Sequence, residues 1–329
     1  MSIIFNNKYH LLSSEIKTLK VIRFVVHKEK NIQVENIELS EHEYLALSNA
    51  REILSKVLNH EELYDQIIES YIDAKSVMYE MSIRSISAGT VFDYVKNHNY
   101  RSKLNRLYFN TLNLSKLYLD RHYREYKKNR GSIKNVTCFA ESITKSQLDI
   151  EEIEKHRSDL YEKNQDYVLG CELRNFVQHS SLPVKTFTSG VRYSPEEDKA
   201  FAIFHIPLDK QMLLDGGVKR KCLSEYDEKI DLHNVMDGYI QAISEMHLKS
   251  RALVEECVSQ SELLIEQKRR EIEAEYKNCD YGIDVVDLDI EKRLFSLNLE
   301  WFSVAKYLKE KNSHTLNYGR FLHKPYQKN

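Results

Sequence analysis

Glycine and proline are scarce in this chain, 9 and 4 of 329 residues. So few chain breakers, beside a 30% charged fraction, point to long helices with charged outer faces. The sequence holds no Gly-x-x-x-x-Gly-Lys-Ser/Thr loop, no Gly-x-Gly-x-x-Gly and no His-Glu-x-x-His, which leaves ATPase, dinucleotide-binding and zinc-protease readings without support. Charge of one sign is also missing. A net charge of −2 and a pI near 6.7 provide no global basic field for indiscriminate nucleic-acid binding, so any RNA must be held by a local patch.

Cysteine is sparse and unpaired in pattern. Cys138, Cys171, Cys222, Cys257 and Cys279 are odd in number and form no Cys-x-x-Cys unit, which suits reduced thiols. No stretch reaches the uninterrupted apolar length of a membrane span, and the segment from Met1 to Lys8 lacks the apolar core and cleavage site of a leader. A cytoplasmic protein with no membrane partner is therefore expected. The hydrophobic share, 42%, is ample for a substantial core in one large domain or two.

What is present is concentrated between Glu172 and His179. An arginine, two amides and a histidine fall within about one and a half helical turns there, while Leu169, Leu173, Phe176 and Val177 take the opposite side. The apolar side can bury itself and turn Arg174, Asn175, Gln178 and His179 toward a cleft, a partner or water. Histidine titrates near neutral pH and can take a proton from a ribose 2′-hydroxyl or give one to a leaving oxygen. Arginine stays charged and offers a planar fork to a phosphate. An adjacent amide can hold the phosphate or orient the imidazole. The same residues also fit a solvated helix end, with Arg174 in an ion pair and His179 against the negative C-terminal dipole.

Arg174, Asn175 and His179 resemble the signature of the HEPN superfamily: an arginine, then a polar residue that is often Asn, Asp or His, then a histidine four to six places beyond the arginine. The context is similar too, since the motif lies late on a helix and is followed by Ser180 to Val184, a stop carrying Pro183. The resemblance spans about residues 145 to 184. It implies a helical bundle that pairs into a homodimer and juxtaposes two motifs in one groove. It further implies a metal-independent endoribonuclease, without cofactor, that leaves a 2′,3′-cyclic phosphate on transfer or messenger RNA and serves as a toxin or antiphage effector under an antitoxin or defence-system partner. In that reading His179 is general base or acid, Arg174 stabilises the developing charge and Asn175 positions the phosphate. The competing expectation is a non-catalytic helical interaction protein, antitoxin-like or an adaptor subunit.

Two basic tracts are candidate RNA contacts. Arg121, Arg124, Lys127, Lys128 and Arg130 interleave with tyrosines at the end of a helical pattern running from Tyr100 to about Lys128, and Lys219, Arg220 and Lys221 follow a Gly-Gly turn. The first tract equally fits a solvated helix terminus.

The remaining pattern predicts a mainly α fold, a bundle of long helices with two small β-hairpins. Residues 1–40 form an N-terminal hairpin elaboration from runs 21–26 and 32–37, and residues 41–329 a helical domain with a second hairpin near 184–207. Ser40 and Glu43 form a capping box, so a helix begins at about residue 41 and continues to about 85 with a break near Asn59 to Glu61, and Gly89-Thr90 interrupts next. Thr144 and Gln147 predict a second capping box leading to the motif helix or helix pair, in which Gly170 implies close packing or a break. Residues 231–277 read as one long helix with a heptad seam through Leu232, Met236, Tyr239, Ile243, Met246, Ser250, Leu253, Cys257, Gln260 and Leu264. Its partner is another subunit or the segment 290–310. The acidic run from Asp280 to Glu291 lacks calcium-loop spacing and reads as a loop entering a helix. His205 reads as a packed strand residue.

Overall fold

The computed structural model describes residues 19–28, 31–87, 94–122, 125–129, 132–136, 138–227, 229–276, 279 and 282–316. The expected mainly helical fold is found, with long helices and small antiparallel sheets. In chain order come β1 (Lys20–Lys28), β2 (Asn31–Glu38), α1 (Glu41–Ser87), α2 (Tyr94–His122), β3 (Glu125–Asn129), β4 (Ser132–Val136), α3 (Phe139–Thr144), α4 (Gln147–Lys163) and α5 (Gln165–His179). There follow β5 (Thr188–Ser194), β6 (Lys199–His205), β7 (Pro207–Asp209), α6 (Lys210–Asp215), a 3-10 turn (Arg220–Leu223), β8 (Lys229–Asp231) and α7 (Leu232–Glu275). The chain closes with β9 (Asp284–Asp287), β10 (Lys292–Ser296), a second 3-10 turn (Glu300–Phe302) and α8 (Ser303–Lys311).

Two compact units share these elements. The first takes the described residues up to Glu52 and from Gln260 to Trp301; the second takes Ile53 to Ser259 and those from Phe302 onward.

In the first unit the predicted hairpin forms, with β1 antiparallel to β2, but it is half of a four-stranded antiparallel sheet ordered β10-β9-β1-β2. The β-branched run of β1 suits a central strand, and Val21, Ile22, Phe24 and Val26 are buried. The acidic run expected to enter a helix is instead β9 and its turn. Val285 and Val286 are buried between the acids, Asp287 pairs with Lys20 at 2.9 Å, and Glu291 pairs with Arg23 at 3.0 Å. Asp280 lies outside the described residues. Ser40 and Glu43 cap α1 reciprocally as expected, each backbone N–H donating to the other's side chain at 3.1 and 3.2 Å.

The second unit is the helical body. Its core is unusually aromatic, with Tyr64, Tyr71, Tyr108, Tyr118, Tyr239 and Phe176 fully buried. α1 runs without the break expected at Asn59 to Glu61, because His60 and Glu61 point inward, where Glu61 accepts from Arg251 and His247 and His60 stacks on Phe139. Gly89-Thr90 lies outside the described residues, just beyond the end of α1. α2 stops at His122 rather than near Lys128, and β3 pairs with β4 as a third hairpin. The motif helix belongs to a pair, α4 and α5. Ser146, not Thr144, caps α4 by accepting from Asp149 N at 3.3 Å, while Thr144 ends the short α3. The second hairpin joins β5 to β6 through 195–198, so its first strand starts at Thr188 and not at Val184. His205 is its last residue, as expected of a strand position.

α7 is the predicted long helix. Leu232, Met236, Tyr239, Ile243, Met246 and Ser250 are fully buried, but the buried line then shifts by one residue to Val254, Ser261, Ile265 and Ile272, leaving Gln260 and Leu264 exposed. The segment 290–310 is not one helix; its first half holds β10, and α8 lies beside α7, where Arg251 donates to the Asn312 carbonyl just beyond α8 at 2.6 Å. α5 and α7 cross at two glycines. A Cβ on Gly170 would strike the Tyr239 ring, and one on Gly238 would strike the Asp166 carboxylate, so each helix yields room to the other's side chain. Gly170 thus marks close packing and not a break.

Candidate functional site

α5 is built to present the motif. Asn164 caps it by accepting from Tyr167 N at 2.9 Å, and Tyr167, Val168, Leu169, Leu173, Phe176 and Val177 bury its apolar side. The helix packs antiparallel on α2. Gln178 donates to Asn113 Oδ1 at 2.5 Å, and beyond the helix Val184 and Asn105 exchange hydrogen bonds at 2.8 and 2.9 Å.

Arg174 and Asn175 are brought together. The Arg174 guanidinium donates through Nη1 to Asn175 Oδ1 at 3.0 Å, and both line a cavity of about 230 Å³ with Lys116, Arg157, Tyr161 and Cys171. This lining carries three cations against one carboxylate, Asp120, which is already bound to Lys116. The Arg174 Nε is buried with no acceptor among the described residues. Cationic surplus and an amide make a place suited to an oxyanion such as a phosphodiester. Burial pushes the Cys171 thiol up to about 11, so that group packs rather than reacts.

His179 is not among this cavity's lining residues. It ends α5, exposed and without a hydrogen-bond partner among the described residues. One chain therefore joins Arg174 to Asn175 and leaves the imidazole apart. Of the basic candidates, Lys219 pairs with Glu172 of α5 at 3.1 Å, and that hydrogen bond raises the amine's pKa; Arg220 and Lys221 are exposed on the 3-10 turn that follows. Arg121 is exposed at the end of α2. Arg124 and Arg130 lie outside the described residues, as do the side chains of Lys127 and Lys128 on β3.

Two buried polar clusters in the same unit escaped sequence reading. In the larger, Glu61 receives Arg251 Nε at 2.7 Å and Nη2 at 2.5 Å, and His247 Nε2 at 3.1 Å. A carboxylate only accepts, so the hydrogen of neutral His247 sits on Nε2, and Nδ1 accepts from the Tyr118 hydroxyl at 3.2 Å. His122 Nδ1 lies 3.0 Å from Ser250 Oγ, and His60 stacks on Phe139 with centroids 3.8 Å apart. Burial opposes the Glu61 charge, but the Arg251 fork and His247 outweigh it and hold the carboxyl down to about 2. Burial lowers all three histidines, His122 to about 3. In the smaller cluster Lys75 Nζ lies 2.6 Å from Asp237 and 2.7 Å from His233 Nε2. Desolvation drives the Lys75 amine down and the Asp237 carboxyl up, and holds His233, with Lys75 beside it, at about 3.

Lys116, Arg157 and Tyr161 were not legible because α2, α4 and α5 meet only through packing. The buried clusters were hidden for the same reason, since Glu61, His122 and His247 sit on three helices far apart in the chain. Among the described residues, no three His, Cys, Asp or Glu side chains gather to hold a metal ion. No family model, no curated protein and no solved structure matches the chain.

Proposed function

We propose that this chain is a metal-independent endoribonuclease of HEPN type, acting as a toxin or antiphage effector. The observation that carries the reading is the Arg174–Asn175 pair at a cationic cavity, with the exposed His179 at the end of the same helix. His179 takes the proton of a ribose 2′-hydroxyl; the 2′-oxygen attacks the adjacent phosphorus; the 5′-oxygen of the next nucleotide leaves and takes up a proton. The products are a 2′,3′-cyclic phosphate and a 5′-hydroxyl. Arg174 neutralises the charge that grows on the phosphoryl oxygens, and Asn175 fixes the phosphate.

Because His179 stands outside the cavity of its own chain, the site is completed by a second copy, whose histidine enters the groove beside Arg174. Arg121, Lys219, Arg220 and Lys221 flank the strand as phosphate contacts. A second reading, a non-catalytic interaction protein, is favoured by Leu263 and Leu264, which stand exposed on α7. Purified protein incubated with total RNA and with transfer RNA in excess EDTA separates the two. Cleavage by the wild type and none by His179→Ala is the expected outcome; intact RNA in both samples, with capture of a protein partner, overturns the nuclease.

A further inference from the structure

We infer that a second cleft, between Tyr94 and Phe187, binds an unpaired nucleobase of the RNA strand, with Arg101 and Lys185 on its neighbouring phosphates. The cleft, about 310 Å³, is formed by the start of α2 and the segment after Val184, and no carboxylate is found in its described lining. Tyr94 is 96% exposed, a position in which a large aromatic ring gains nothing from the core. Phe187 is backed by Phe204, the rings stacked at 5.9 Å and 12°, which fixes it as a rigid wall. Arg101 is held in place through Nη1 to the Lys185 carbonyl at 3.2 Å and contacts His98 at 3.4 Å, leaving further guanidinium donors for a ligand. Aromatic faces with cations and no acid beside them select a flat base joined to an anion.

Position on α2 links this cleft to the first. Tyr94, His98, Arg101, Lys116 and Leu119 share one face of the helix at about 100° per residue. Arg101 and Lys116 are then about 22 Å apart at 1.5 Å rise per residue, a span that holds a few nucleotides of unpaired strand. His179 falls in the chain between Gln178, bonded to Asn113, and Val184, bonded to Asn105, so it belongs to the stretch that bridges the two cavities. The inference deepens the ribonuclease reading and rests on it for the choice of RNA; it specifies single-stranded substrate gripped at the Arg174 cavity and again at the Tyr94 cleft.

Full-length His179→Ala protein, which is expected to bind without cutting, is titrated with a fluorescent single-stranded 12-mer RNA and with the corresponding duplex. Tyr94→Ala in that background is expected to weaken single-strand binding by about 5- to 10-fold, as loss of one stacked base does, with Tyr94→Phe retaining affinity and duplex binding unchanged. Arg101→Gln should weaken binding and flatten its salt dependence. Equal affinity of Tyr94→Ala and its parent, an equal loss on duplex RNA, or absence of RNA binding altogether would overturn the cleft. Failure of the two readings is separable: cleavage by wild type with unaltered binding by Tyr94→Ala removes the cleft alone, whereas a Tyr94-dependent single-strand affinity without any cleavage supports the cleft and removes the nuclease.

Discussion

The second unit carries an arginine with histidines in two places, and their surroundings set them apart. Around Glu61, the Arg251 fork, His247, Tyr118, His122 and Ser250 are all buried, and the charged pair is closed by hydrogen bonds on both sides. Along α5, Arg174 lines a cavity, and His179 meets solvent. The first arrangement stabilises one packing of three helices, since a buried ion pair is costly to break and has no donor left for a substrate. The second has donors and a titratable base where a ligand can arrive. Residue type does not distinguish structure from chemistry here; satisfaction and exposure do.

The sharpest way to break this contrast is to remove the buried carboxylate. Glu61→Ala leaves Arg251 and His247 buried without their acceptor and is expected to cost about 3–5 kcal/mol in denaturant unfolding, with RNA cleavage per folded molecule unchanged. Arg174→Gln is the reciprocal change. It should slow cleavage by about 100-fold, as loss of one charge-stabilising donor does, and leave the unfolding midpoint in place. Acid gives the smallest effect per residue. His60, His122 and His247 are neutral in the fold because burial lowers their pKa, whereas the unfolded chain protonates them near 6.5. Their influence is nil well above that pH; as pH falls below about 6.5 the unfolded state binds more protons, and each histidine removes about 1.4 kcal/mol of stability per pH unit until its folded pKa is reached. Urea midpoints between pH 7 and 5 measure this. A midpoint flat over that range would mean that the histidines are already charged in the fold.

The sequence made local features visible and hid assembled ones. The Ser40–Glu43 box, the first hairpin and the length of α7 rest on neighbours in the chain, and all three were legible. Asn59 to Glu61 resembled a helix break because a polar run at the surface and one that turns Glu61 inward to Arg251 look alike until the other helix is placed. The seam of α7 went astray after Ser250 since a straight helix drifts about 20° per heptad, enough over two or three heptads to hand burial from Leu253 to Val254. Acidic spacing concealed β9, whose valines are buried while its aspartates pair with bases across the sheet. At the site, Arg174 and Asn175 were recognisable from α5 alone. Lys116, Arg157, Tyr94 and Phe187 were not, being assembled by α2, α4 and the segment after α5.

Subunit mixing tests most directly whether Arg174 and His179 form one site across two chains. Arg174→Gln and His179→Ala proteins, each expected to be at least about 100-fold impaired alone, are combined under conditions that exchange subunits, and cleavage of transfer RNA in EDTA is followed. A shared site predicts that activity returns in the mixture, because the mixed pair retains one intact arginine facing one intact histidine. Mixed pairs that form, as seen by native mass measurement, yet cleave nothing would contradict it.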